Sequence, residues 1–239
     1  MSGRGRSSSP GRHGRRQAGF TLVELVVAMF IMGIVSTMLV GTWISLQRSA
    51  DFSEQKNQAA AAGRDALDRV SSELRDAQPC ASSTASPFCS TLSSPYVNDS
   101  YDCTFYTPYN NPSAAAQSGA GGQAQSVLTS IYLDTSGTSP EKKLMLIHDT
   151  SGNGSFDASD QVMTLATNVV NSATGINRPI FSYVFDTNGT YSTASSLTSA
   201  NAAKCVAVNI EVVLDTNLLS KPTYVDLVST IRPRNASMN

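Results

Sequence analysis

The chain has 239 residues, 41% of them hydrophobic and 15% charged, enough for one sizeable folded domain plus an appendage. Its net charge of −1 conceals an asymmetry. Arg4, Arg6, Arg12, Arg15 and Arg16 all precede the first apolar run, and the rest has 12 basic against 18 acidic residues. A mildly acidic body gives no electrostatic hint of nucleic-acid binding and argues against simple electrostatic capture, so no clear nucleic-acid site is read.

Residues 1–19, MSGRGRSSSPGRHGRRQAG, hold no apolar stretch that could fold and read as a basic, disordered leader. Residues 20–46 then carry a single charge, Glu24, in 27 positions. At ~1.5 Å per residue a helix of that length crosses a hydrocarbon core of roughly 30 Å. With the arginines on its N-terminal flank, the N-terminus is expected in the cytoplasm and everything beyond residue 46 outside. A secretory signal peptide fits poorly, because its apolar core spans only about 7–15 residues and no small-residue cleavage site follows Leu46. A plain signal anchor would explain length and orientation but leaves Glu24 without a reason. An unpaired carboxylate inside a membrane costs several kcal/mol, so such a residue is a functional candidate by default.

The stretch Gly19-Phe20-Thr21-Leu22-Val23-Glu24-Leu25, after a basic leader and before an apolar run, resembles the processing motif of type IV prepilins and type II secretion pseudopilins. The resemblance implies cleavage between Gly19 and Phe20 by a prepilin peptidase, with N-methylation of Phe20. It implies also that Glu24 pairs with the N-terminal amine of a neighbouring subunit, here Phe20. Two opposite charges buried together offset one another's desolvation cost. The leader is longer than in many major pilins, which leaves the subclass open.

From Gln47 to Gln78 the composition changes to Ala, Gln, Glu and Arg without a helix breaker, and Leu67, Val70, Leu74 and Ala77 recur at helical spacing. Arg64/Asp68, Asp65/Arg69 and Arg69/Glu73 stand at i,i+4 and are expected to pair on exposed faces. Pro79 ends the run, so 20–78 reads as one helix of roughly 90 Å, with 20–46 the membrane or filament-core half and 47–78 its amphipathic continuation. Gly33 and Gly41, with Ala28, Ser36 and Thr37, read either as a surface for close helix packing or as the glycine that membrane helices tolerate.

Residues 79–239 read as an extracytoplasmic β-rich head. The stretch 80–126 looks loop-like, and strands are expected at 127–133, 143–148, 161–165, 180–185, 205–214 and 223–231. Asp186-Thr187-Asn188-Gly189 is a turn signal. The fold class is therefore α+β, a long N-terminal helix packed on a mostly antiparallel sheet. The closing segment Ser229 to Asn235 resembles the ends of larger minor pilins and J-type pseudopilins.

Cys80, Cys89, Cys103 and Cys205 all follow the apolar helix, and an even number on the exported side fits disulfides. Three connectivities exist; pairing of Cys80 with Cys89 and Cys103 with Cys205 is favoured. Spacings of 9, 14 and 102 residues contain no C-x-x-C pair and argue against zinc. Residues 149–160 place Asp149, Ser151, Asn153, Asp157 and Asp160 at positions 1, 3, 5, 9 and 12 of a calcium-loop pattern, with Gly154 at 6 and the Ser155 carbonyl at 7. Position 12 is Asp rather than Glu and the flanks read as strands, so a polar hairpin loop stays open beside calcium as cofactor.

Neither histidine, His13 or His148, sits in a catalytic pattern, and no nucleophile elbow, P-loop or H-E-x-x-H is present; no enzyme is expected. The leading functional expectation is a minor, W- or J-type-like, pilin subunit at filament initiation or tip. Its partners would be other pilin subunits, the prepilin peptidase, the membrane and an ATPase-driven pilus or secretion assembly machinery. A ligand-binding tip pilin, an adhesin or a DNA-uptake subunit, and, less well supported, a signal-anchored enzyme are the alternatives.

Overall fold

Unbranched and small residues dominate Leu22 to Arg75, and in the computed structural model they form one uninterrupted 54-residue helix, α1. The structure describes residues 21–78, 88, 98–108, 126–136, 141–215 and 224–234. It falls into two compact units, residues 1–51 and 52–239. In the first, every described residue of α1 is exposed, Leu22 at 79% and Phe30 at 71% among them.

In the second unit the expected stripe is inside: Leu67, Val70, Leu74 and Ala77 are buried, joined by Gly63 and Ala66. Gly63 is required by contact. A β-carbon there would overlap Leu227 Cδ1 and stand 2.8 Å from Leu214 Cδ1, so glycine lets the helix lie directly on the sheet. Of the three expected ion pairs only Arg69–Glu73 closes among the described residues, at 2.8 Å, and it corrects the expectation of an exposed pair. The Glu73 side chain is only 11% exposed, turned toward His148.

The sheet has eight strands, all paired antiparallel: β1 (Asp102–Thr107), β2 (Val127–Asp134), β3 (Lys142–His148), β4 (Gln161–Val169), β5 (Phe181–Thr187), β6 (Thr190–Ala194), β7 (Cys205–Asp215) and β8 (Tyr224–Ile231). Their order is β1-β2-β3-β4-β7-β5-β6, with β8 on β7 as well. The α+β expectation therefore stands, with six strands close to their expected positions. The loop expected over 80–126 is corrected, because β1 lies inside it. β6 was also unexpected, as was the short helix α2 (Ser199–Ala202).

β4 meets β7 through a single residue pair, Val169 with Leu214, so the sheet is two four-stranded halves joined at a fork. Asn171, fully buried, fills that fork as a strand would. Its Oδ1 accepts the Val213 N–H at 2.8 Å and its Nδ2 donates to the Glu211 carbonyl at 2.7 Å. At the other side the segment 98–102 ties β1 to β5. The Ser100 carbonyl accepts N–H groups from Ile180 and Phe181, and the buried Tyr183 hydroxyl donates to the Asp102 carbonyl at 2.9 Å. The core between helix and sheet is a single cluster that includes Leu74, Phe88, Phe105, Phe181 and Tyr183.

Candidate functional site

A helix begins with orphan N–H groups, and in an apolar surrounding they must be met from within the chain. Thr21 and Glu24 meet them. The Thr21 hydroxyl accepts the Glu24 N–H at 3.2 Å, and Glu24 Oε2 accepts the Thr21 N–H at 3.2 Å. This is a capping box, closed further by a 3.4 Å contact in which the Thr21 hydroxyl donates to the same Oε2. The carboxylate is thereby fixed at the positive end of the helix dipole, while its Oε1 makes no hydrogen bond to a described residue. Gly19 and Phe20, the expected cleavage pair, lie outside the described residues. The role of Thr21 was missed in the sequence, although the T-x-x-E signature was there to be read.

Beyond the cap, the polar groups of the apolar stretch are turned inward. Thr37 Oγ1 donates to the Ile34 carbonyl and Thr42 Oγ1 to that of Leu39, each at 2.8 Å. An apolar window of this helix is long enough to cross a membrane. Nothing lies within 4 Å of a β-carbon built on Gly33 or Gly41, which leaves both backbones open to close approach.

The other expected sites are in the head. Cys80 and Cys89 lie outside the described residues. Cys103 and Cys205 are buried free thiols, so the expected Cys103–Cys205 bridge is corrected. The Cys205 sulfur lies 3.5 Å from the Ala207 carbonyl oxygen. Burial raises the Cys103 thiol well above its ordinary range and pushes Cys205 up to about 12, which makes both inert as nucleophiles.

The calcium-pattern loop joins β3 to β4. Buried Asp149 accepts the N–H groups of Gly152 and Gly154, each at 2.7 Å, and the Ser151 hydroxyl at 2.9 Å. Asn153 binds the Ser155 N–H and the Asp157 carboxylate; Asp157 also accepts from Ser159. Asp160 turns back to the Asp157 N–H at 2.7 Å and the Ser151 N–H at 3.3 Å. Among the described residues no three His, Cys, Asp or Glu side chains converge as metal ligands. Phe156, at position 8, packs with Leu128 and Tyr106 and anchors the loop to the sheet.

His148, at the end of β3, is buried rather than a surface base. Its Nδ1 lies 2.9 Å from Thr129 Oγ1, which in turn lies 2.8 Å from Thr107 Oγ1. Burial, with the Arg69 charge beside it, pulls the imidazole down to about 4. Burial raises the Glu73 carboxyl against the lowering effect of Arg69. This network joins helix to sheet and contains no exposed nucleophile or general base.

An apolar helix with a capped acidic start leads into a helix-on-sheet head. Residues 14–40 match the prokaryotic N-terminal methylation motif. That motif supports a place for the chain in the type IV prepilin and pseudopilin family. No curated protein and no solved structure matches the chain. The motif points to a structural subunit that is processed by the prepilin peptidase and assembles with other pilins.

Proposed function

We propose that the chain is a minor type IV pilin or pseudopilin acting at initiation or tip of a filament. It would be held in the inner membrane with its N-terminus cytoplasmic, cut between Gly19 and Phe20, and N-methylated at Phe20. The observation that carries this reading is the capping box at the start of a wholly exposed apolar helix. It holds the Glu24 carboxylate at the helix end with one oxygen that bonds to no described residue, where the amine of a processed neighbour would complete a charge pair in an apolar filament interior. The size of the head, residues 79–239, supports a minor over a densely repeated major subunit. Calcium loading of 149–160 is part of the proposal and is supported by the ligand types and by the positive φ of Gly152 and Gly154. Calorimetry with calcium alone should give saturable heat that Asp160→Ala removes; no heat at millimolar calcium would dismiss it.

The experiment for the assembly reading compares sheared filaments with the membrane fraction. Wild-type protein should appear in both, in small amounts relative to the major subunit, and Glu24→Leu protein only in the membrane. Equal recovery of the variant from filaments would refute the role given to Glu24.

A further inference from the structure

Two Asn-Gly pairs stand in the head, Asn153-Gly154 and Asn188-Gly189. After an asparagine, the next backbone nitrogen can attack the side-chain amide carbon, and glycine leaves that nitrogen unshielded because it has no β-carbon. The two pairs share several features. Gly154 and Gly189 lie at φ +77° and +84°, and each gives its N–H to a carboxylate at 2.7 Å, Asp149 Oδ2 and Asp186 Oδ1 respectively.

They differ at the carboxamide. Asn153 is held at both ends, with Oδ1 accepting the Ser155 N–H at 2.8 Å and Nδ2 donating to Asp157 Oδ2 at 2.9 Å. The loop around it is pinned by Asp149 and Phe156. Asn188 is exposed at φ 55°, at the tip of the β5–β6 hairpin, and its carboxamide makes no hydrogen bond to a described residue. Thr190 to Thr193 of β6 are exposed as well, so little packing resists movement of this turn.

We infer that Asn188 is a spontaneous modification site, at which the head deamidates in its folded state. The Gly189 nitrogen loses its proton to solvent base and bonds to Asn188 Cγ; the Cγ–Nδ2 bond breaks and ammonia leaves. Water then opens the resulting succinimide to aspartate or isoaspartate, with no change of oxidation state. Either product adds a negative charge beside Asp186. The isoaspartate form also lengthens the backbone within the turn and shifts the Thr187–Thr190 pairing that closes the hairpin. Both changes are confined to the exposed hairpin, so beyond it converted and unconverted copies share one fold. The inference is independent of the assembly reading.

The test follows the deamidation mass gain by peptide mapping of the full chain in detergent at mildly alkaline pH, folded and urea-unfolded in parallel. In urea both pairs should convert at comparable rates. Folding should slow Asn153 by about tenfold or more and Asn188 by no more than about threefold. Asn188→Gln should abolish the gain in the hairpin peptide, and Asn153→Gln should leave it unchanged. Conversion of folded Asn153 as fast as Asn188, or equal protection of both, would overturn the inference.

Discussion

The two ends of α1 are the same secondary structure in opposite circumstances. From Leu22 to Leu46 large apolar side chains face outward, Trp43 at 63% exposure, whereas Val70 and Leu74 are fully buried against the sheet. The second stretch finds its partner inside the chain. The first does not, and apolar surface on that scale, at ~25 cal/mol per Å², marks a contact with lipid or with other subunits. One helix thus has one stretch that completes the head and another whose apolar side chains have no partner among the described residues.

The contrast can be broken from either end. The largest effect is expected from Glu24→Leu, which should lower filament incorporation by more than about tenfold while leaving the melting temperature of the head unchanged. An equal loss of head stability would mean that the two stretches are not independent. Next comes Gly63→Val, whose branched side chain would strike Leu227 and Leu214 and should cost about 1–3 kcal/mol in urea unfolding. Leu227→Ala should restore part of that loss.

His148 gives a pH dependence with a definite sign. Its folded value of about 4 lies below the ordinary 6.5, so as pH falls through that window the unfolded chain takes up the proton first and stability is lost. Glu73, raised by burial, takes up its proton first in the folded state and offsets part of this loss. The stability difference between wild type and His148→Gln should therefore shrink from pH 7 to pH 4, as followed by thermal melts; a constant difference would contradict the burial argument. Asp102 runs the other way. Burial and nearby Asp99 raise it to about 7, so Asp102→Asn should help the head more at pH 8 than at pH 5. Thr21→Val is the mildest change. It removes the cap at a cost of about 1 kcal/mol and should reduce assembly only partly.

The sequence made the helix and six strands legible because their signals are periodic. The stripe at Leu67, Val70, Leu74 and Ala77 and the alternation from Val206 to Leu214 each reflect a face that must be buried. β1 escaped because Asp102-Cys103-Thr104-Phe105-Tyr106-Thr107 buries its threonines along with its cysteine and phenylalanine. Thr104 and Thr107 bond to Ser130 and Thr129 of the neighbouring strand, so polarity conceals a core strand. β6 escaped because an exposed edge strand has no apolar face to count. At the site, Glu24 was legible as a charge in an apolar run, whereas Thr21 was overlooked as ordinary polarity. The cysteines are a different case: counting them says nothing of where each sulfur stands, and Cys103 and Cys205 are both buried as free thiols.

On the proposed function, cleavage before Phe20 and its N-methylation leave an amine that meets Glu24 of a neighbouring subunit. Mass spectrometry of the mature N-terminus, from cells with an active prepilin peptidase, tests it most directly. A chain that begins with N-methylated Phe20 is expected. Recovery of the chain with residues 1–19 intact, or cut at another position, would contradict it.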